Sequence, residues 1–312
     1  MNQSAMKTTA RKIDRNSAPG ILPVLPQGST IPKVIYQVYT NPTLTPVLEE
    51  NIRSIKALNP GWEHKLFGEA DIEDFIRSAY GDVVLGYYHR IEPEYLVARI
   101  DVFKYLLMYR QGGVYLDIKS TTEKPLDEVL RADDVFLLSR WPLGSSQYQG
   151  WGKHRKLKRI GGREFQQWHI IAAPGHPFLR AVVEDIFDNI ERYNPVWHNT
   201  GKDGVVRLTG PVAYTLAIAP LLQTCRYRRV TSHEDLGLSY SVFEKRGGTH
   251  RTMFNVYYSK LEEPITALTV EKRLIWTLLG PLQKLFAKPA VGALRKVVRR
   301  VRDAVGEGRA RR

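Results

Sequence analysis

Asp117 and Lys119 are the first residues of this chain that invite a chemical reading. They close the run at 98–120, A-R-I-D-V-F-K-Y-L-L-M-Y-R-Q-G-G-V-Y-L-D-I-K-S. Side chains two apart on a strand share a face, so both can reach one ligand where a strand ends. Two carboxylates at this spacing would hold a divalent cation, Mn²⁺ or Mg²⁺, against a diphosphate, because these ions prefer oxygen ligands. Here the second position is lysine. A protonated lysine cannot ligate a cation, but it can put its own charge on a diphosphate. The plain alternative is a strand-end pair exposed to solvent, which composition alone favours. The elements that precede the pair shift the reading towards function.

Those elements are a helix, a break and a strand. Ile100, Phe103, Leu106, Leu107 and Met108 recur at three- and four-residue spacing on one helix face. Gly112-Gly113 stops that helix, since glycine accepts a left-handed C-cap. Val114-Tyr115-Leu116 is short, apolar and β-prone, and delivers Asp117 to the crevice beyond the strand ends where α/β proteins bind ligands. Asp101 and Lys104, three apart on the helix, face the same way; an ordinary surface ion pair is the competing reading. Gly210-Pro211 opens a later helix whose free N–H groups suit an anion or a sugar hydroxyl, although a simple turn is commoner. His176 and His250 have no metal-ligand partner at close spacing and read as structural. The basic cluster at 153–159, with Tyr148, Trp151 and Trp168 interleaved around it, suits phosphate, sugar or lipid contact; a solvated charge run is its usual meaning.

Strand character at 31–39, a helix over 46–58 and a second strand at 62–67 make a βαβ unit, hence an α/β fold with a largely parallel sheet. A helix over 70–80, a strand at 135–138, an irregular stretch at 140–163 with five glycines, a strand near 166–173 and helices at 177–193 and 208–223 follow. The chain divides into an arm at 1–30, expected to be disordered, a body at 31–265, and a basic amphipathic tail at 266–312. The tail holds much of the net charge of +14, with 12 Lys/Arg against 3 Asp/Glu from 271 onward. Leucines and a tryptophan among those arginines suit an anionic membrane surface better than nucleic acid. No h-region or spanning run of about 18 apolar residues is visible, so the expected location is cytoplasmic, peripheral to a membrane. Cys225, the single cysteine, excludes a disulfide framework and reads as a buried thiol in a reducing compartment.

The ordered segments I-P-K-V-I-Y-Q-V-Y at 31–39, N-P-G-W-E at 59–63, the block at 98–117, Q-W-H-I-I-A-A-P-G-H-P at 167–177 and T-G-P at 209–211 resemble the DXD-type sugar transferases of glycosyltransferase family 32. The resemblance covers roughly 31–265. It implies a GT-A fold, a Rossmann-type mixed sheet flanked by helices, and transfer from a nucleotide-sugar donor to a glycan or lipid-linked acceptor with retention of anomeric configuration. It further implies that Asp117 meets the ribose and any metal, that Asp101 binds donor-sugar hydroxyls with Lys104 beside it, and that Tyr36 and Gln37 line the nucleotide pocket. Gln167 and Trp168 would border the sugar, with Gly112, Gly113, Gly210 and Pro211 shaping the donor site. Three positions depart from the family pattern. Lys119 replaces the second aspartate, Lys104 an arginine and Tyr36 a histidine. The first bears on whether a cation is held at all; the second removes a guanidinium fork. A catalytically silent nucleotide-sugar-binding or scaffold protein of the same fold is the alternative to an enzyme.

Overall fold

The computed structural model describes residues 20–243 and 258–285. In chain order the first elements are β1 (Val34–Val38), α1 (Pro46–Leu58), β2 (Glu63–Phe67), α2 (Glu69–Tyr80), α3 (Asp82–His89), α4 (Leu96–Gln111), β3 (Gly113–Leu116), β4 (Thr121–Thr122), α5 (Leu126–Val129) and β5 (Phe136–Arg140). They are followed by β6 (His169–Ala172), α6 (Pro177–Arg192), α7 (Pro195–His198), α8 (Gly201–Leu208), α9 (Pro211–Ile218), β7 (Arg228–Ser232), β8 (Leu238–Ser239) and α10 (Val270–Leu285). Six strands form one mixed sheet in the order β2-β1-β3-β6-β5-β7. β6 runs antiparallel to both its neighbours and the remaining pairs are parallel. β2 lies on one side of β1 and β3 on the other, so winding reverses at β1 and a crevice opens beyond the carboxyl ends of β1 and β3.

The central helix α4 differs from the one-faced helix read from the sequence. Asp101 to Tyr109 are all buried, because α4 packs on β3 and β6 as well as on α2, α6 and α8. With its middle buried all round, α4 keeps Asp101 and Lys104 off the outer surface. Gly112 has φ 65° and ψ −160°, a positive φ but not the left-handed helical cap expected. A Cβ at Gly112 would lie 2.6 Å from Pro174 Cδ, and one at Gly113 would lie 2.8 Å from the Val34 carbonyl oxygen. The two glycines therefore let β3 start against its neighbours, at the end of the strand opposite Asp117.

Other segments also depart from expectation. Residues 20–30, assigned to a disordered arm, lie on the body: Leu22 is buried, Leu25 N–H donates to Tyr109 Oη, and Gly28 N–H donates to the Pro174 carbonyl. Gly201–Leu221 is long and apolar enough to pass for a membrane span, with a mean hydropathy of 1.3. It breaks at Thr209-Gly210 between α8 and α9 and is largely buried in the core, so it is an interior element. Cys225 is partly exposed rather than buried. α10, at the start of the tail, continues through Pro281. Residues 1–19, His250 and the tail beyond 285 lie outside the described residues.

His176 shows how a buried histidine stabilises the frame. Its Nδ1 accepts from Phe178 N–H at 3.2 Å, capping α6, and its Nε2 donates to the Arg226 carbonyl at 2.9 Å. This pairing needs a neutral ring, and burial pushes the pKa down from 6.5 to about 4. The unfolded chain therefore takes up the proton first as pH falls, and folding stability is lost between the two values. In denaturant titrations, His176→Gln is expected to lower stability at pH 7 but to show a shallower decline than the parent between pH 6.5 and 4; identical slopes would remove His176 from this account.

Candidate functional site

The crevice at the reversal of winding holds a cavity of about 520 Å³. Val38, Tyr39 and Thr40 enter from the end of β1, and Tyr115, Asp117, Ile118 and Lys119 from the end of β3. β6 is set by its antiparallel pairing, Leu116 opposite His169, and Asp117 N–H donates to the Trp168 carbonyl at 2.8 Å. That register brings Gln167 and Trp168 to the cavity wall. Beside them Gln166 also lines the cavity; its Nε2 donates to His233 Nδ1 and its Oε1 accepts from Ser139 Oγ, fixing the segment that leads into β6.

Asp101, Lys104, Asp117, Lys119, Gln167, Trp168 and Pro211 all line this cavity. Gly210 is the buried residue before Pro211, at the start of α9. Tyr36, Gln37, Gly112 and Gly113 lie elsewhere. Tyr36 is in the core against Phe67, with its hydroxyl towards Gln111 Oε1, and burial followed by the Glu63 charge raises its pKa to about 12. Gln37 is fully buried; its Nε2 donates to the Asp117 and Ile118 carbonyls and its Oε1 meets His64 Nε2 at 2.9 Å. It braces the backbone beneath Asp117 rather than facing a ligand. Both β1 residues are enclosed because helices cover both faces of the sheet.

The charged groups form a line. Thr209 Oγ1 donates to Asp101 Oδ2 at 3.0 Å, and Lys104 Nζ lies 2.7 Å from Asp101 Oδ1, with the two side chains 2% and 4% exposed. Burial raises the Asp101 pKa against the opposing pull of Lys104. The Lys104 ammonium sits 5.4 Å from the centres of both the Tyr105 and Tyr115 rings. Tyr115 Oη, its pKa held well above 10 by burial and then by Asp117, donates to Asp117 Oδ1 at 3.4 Å. Lys119 Nζ stands 4.0 Å from Asp117 Oδ2 and donates to Tyr240 Oη at 2.7 Å.

An aromatic wall closes one side. Tyr240 packs edge-on against Trp141, Trp151 and Trp168 with centroid separations of 5.1, 5.7 and 5.5 Å. Sequence reasoning passed over Tyr240: it reaches the site only because β8 pairs antiparallel with β4, across more than a hundred residues of chain. Lys153, His154, Glu164 and Lys202, also unassigned individually, complete the charged lining. Two polar atoms of the wall, Gln167 Oε1 and Trp168 Nε1, are buried without a hydrogen-bond partner. An acceptor and a donor left in this state are costly unless a ligand satisfies them.

Residues 46–136 match the family model described as "Glycosyltransferase sugar-binding region containing DXD motif". That segment is similar to the sugar-binding region of DXD-type glycosyltransferases. It contains Asp101, Lys104, Asp117 and Lys119. Among curated proteins, the chain is 25% identical over 183 residues to inositol phosphoceramide mannosyltransferase 1 of Schizosaccharomyces pombe, covering 58% of this chain and 48% of that protein. It is 26% identical over 211 residues to the initiation-specific alpha-1,6-mannosyltransferase of the same yeast, covering 64% and 50%. The chain thus spans about half the length of these relatives. Among solved structures, the UDP-bound glycosyltransferase domain of the YGT toxin aligns with a TM-score of 0.45 at 8% identity, over 70% of this chain and 82% of that one. A cytoplasmic location draws no support from these relatives.

The donor set does not fit a divalent cation held by paired carboxylates. The second position of the motif is an ammonium, 4.0 Å from Asp117. Asp101 is committed to Lys104 and Thr209, and Glu164 to Trp141 Nε1 and His154. A dication at Asp117 would be repelled by the Lys119 ammonium, with twice the Coulomb energy of two unit charges at the same separation. Among the described residues, no group of three or more His, Cys, Asp or Glu side chains is arranged to hold a metal.

The buried pair supports a stability test. Lys104→Met leaves Asp101 uncompensated and is expected to destabilise by about 3–5 kcal/mol in chemical denaturation, whereas Asp101→Leu/Lys104→Met recovers most of that loss. A single variant within about 0.5 kcal/mol of the parent would show that the pair is not held as described.

Proposed function

We propose that this chain moves a sugar from a nucleotide-sugar donor to a glycan or lipid-linked acceptor, on a GT-A-like frame and with retention. The observation that carries the reading is the cavity beyond β1 and β3. There the four charged residues of the sugar-binding region meet two polar atoms that lack partners, Gln167 Oε1 and Trp168 Nε1. The relatives named as mannosyltransferases make a hexose the first sugar to try.

In the step proposed, the bond between the sugar C1 and the diphosphate oxygen breaks and its electron pair stays on that oxygen. The acceptor hydroxyl oxygen forms the new bond to C1, and its proton passes to the departing phosphate oxygen. No covalent nucleophile is invoked, because Asp101 and Glu164 are held by their partners in the resting site. Asp101 would receive donor-sugar hydroxyls, Asp117 the ribose, and positive charge would steady the leaving diphosphate. Trp151, 39% exposed at the cavity wall, offers an indole face to a sugar ring.

Asp117→Asn is expected to cut transfer by about 100-fold or more across a panel of nucleotide-sugars. Undiminished turnover would reject the assignment. Donor binding without turnover for any acceptor would favour the silent, binding-only reading.

The membrane partner rests on α10. Val270, Leu274 and Leu278 recur at four-residue spacing and are 77%, 60% and 71% exposed, next to Lys272 and Arg273. An apolar stripe bordered by cations suits the interface of an anionic bilayer. In flotation with anionic liposomes, Leu274→Glu/Leu278→Glu is expected to abolish co-migration; flotation equal to the parent would dismiss this partner.

A further inference from the structure

The ammonium of Lys119 is held in place more firmly than a solvent-facing lysine would be. It donates to Tyr240 Oη at 2.7 Å and lies 4.0 Å from the centre of the same ring. The Lys119 side chain is only 13% exposed. Tyr240 in turn has its ring wedged among three tryptophans. The segment around Tyr240 is tied to the turn that carries the lysine: Ser120 Oγ donates to the Tyr240 carbonyl, and Val242 N–H donates to the Lys119 carbonyl. The β4–β8 pairing continues this attachment through Thr121 and Ser239. Such a clamp spends side-chain freedom before any ligand arrives, and it places a fixed positive charge beside Asp117 at the cavity.

The rest of the lining agrees in sign. Lys104, Lys119, Lys153 and Lys202 face the cavity against Asp101, Asp117 and Glu164. The Asp101–Lys104 pair is internally neutral, so the balance near Asp117 is set by Lys119 and the remaining lysines. A pocket whose lysines outnumber its carboxylates, with a preset ammonium, suits a diphosphate directly.

We propose that Lys119, positioned by Tyr240, is the built-in cation of the donor site, so that a nucleoside diphosphate is bound and released without a divalent metal. The inference rests on the glycosyltransferase reading and names how that site neutralises its leaving group. Lys119 acts through its charge alone and transfers no proton. It supplies charge to the departing diphosphate oxygen, which keeps the electron pair of the broken bond and takes the acceptor's proton.

The test is calorimetric titration of the full chain with GDP and with UDP, in EDTA and again in MnCl₂. The parent should bind one of these nucleotides with affinities that agree within about threefold in the two buffers. Lys119→Ala should weaken binding by about tenfold or more in both, a change corresponding to about 1.4 kcal/mol. Lys119→Asp, which restores a second carboxylate, should bind well only when Mn²⁺ is present. Tyr240→Phe keeps the ring and should lose less affinity than Tyr240→Leu, with both remaining insensitive to EDTA; unfolding midpoints near the parent's identify the variants that can be compared. Parent binding that collapses in EDTA overturns the built-in cation and leaves the glycosyltransferase reading standing. No nucleotide binding in either buffer takes down both.

Discussion

An aspartate and a lysine buried together on the central helix constrain everything around them. Each charge would suffer several kcal/mol of desolvation alone, and only close pairing with added hydrogen bonds offsets it. Asp101 obtains its second bond from Thr209, the residue at the break between α8 and α9. Tyr105 Oη reinforces the same corner by donating to the Thr209 carbonyl at 3.1 Å. The break, the start of α9 and the position of Pro211 at the cavity are thus tied to α4 by electrostatics as well as by packing. Because Gly112 and Gly113 join α4 directly to β3, the same pair fixes the strand that carries Asp117.

The cavity is therefore built from two directions. Sheet topology opens a crevice where β1 and β3 part, a place any fold of this kind offers. The chemistry is specific to the side chains that reach it. Antiparallel β6 swings Gln167 and Trp168 next to Asp117, and the β4–β8 pairing brings Tyr240 from the far end of the body. The wall this makes is aromatic and mostly buried, and a charge set against such low-dielectric surface interacts more strongly than one in water. Gln167 Oε1 and Trp168 Nε1, buried with no partner, are the two places where the wall is left unfinished.

Much of this was legible in the sequence, for identifiable reasons. The helix at 46–58 coincides with α1 because proline at its start and apolar spacing both act locally. Asp117 could be placed at a strand end because Gly-Gly and a short apolar run are local signals too. The one-faced reading of α4 failed because burial on a second side comes from α6 and α8, far away in sequence. Tyr36 and Gln37 were assigned to the ligand on a motif, yet a strand covered on both faces buries consecutive residues in opposite directions. Tyr240 had no local signature at all. Its role depends on strand pairing with β4, which single-sequence periodicity does not report.

The order of charges along the site explains why it can be preformed. Asp101, Lys104, Asp117 and Lys119 alternate in sign, and Tyr115 links the two halves through its bond to Asp117. With aspartate in place of Lys119, two carboxylates would face one cavity and repel each other until a cation arrived; such a site is completed only by its metal. With lysine the repulsion is replaced by attraction, and the tryptophan-backed Tyr240 removes the remaining freedom of the ammonium. A site that is electrostatically closed before the ligand binds has less reorganisation to undergo when charge develops on a departing phosphate. The residue that breaks the motif is for that reason the one that makes the rest of the site self-consistent.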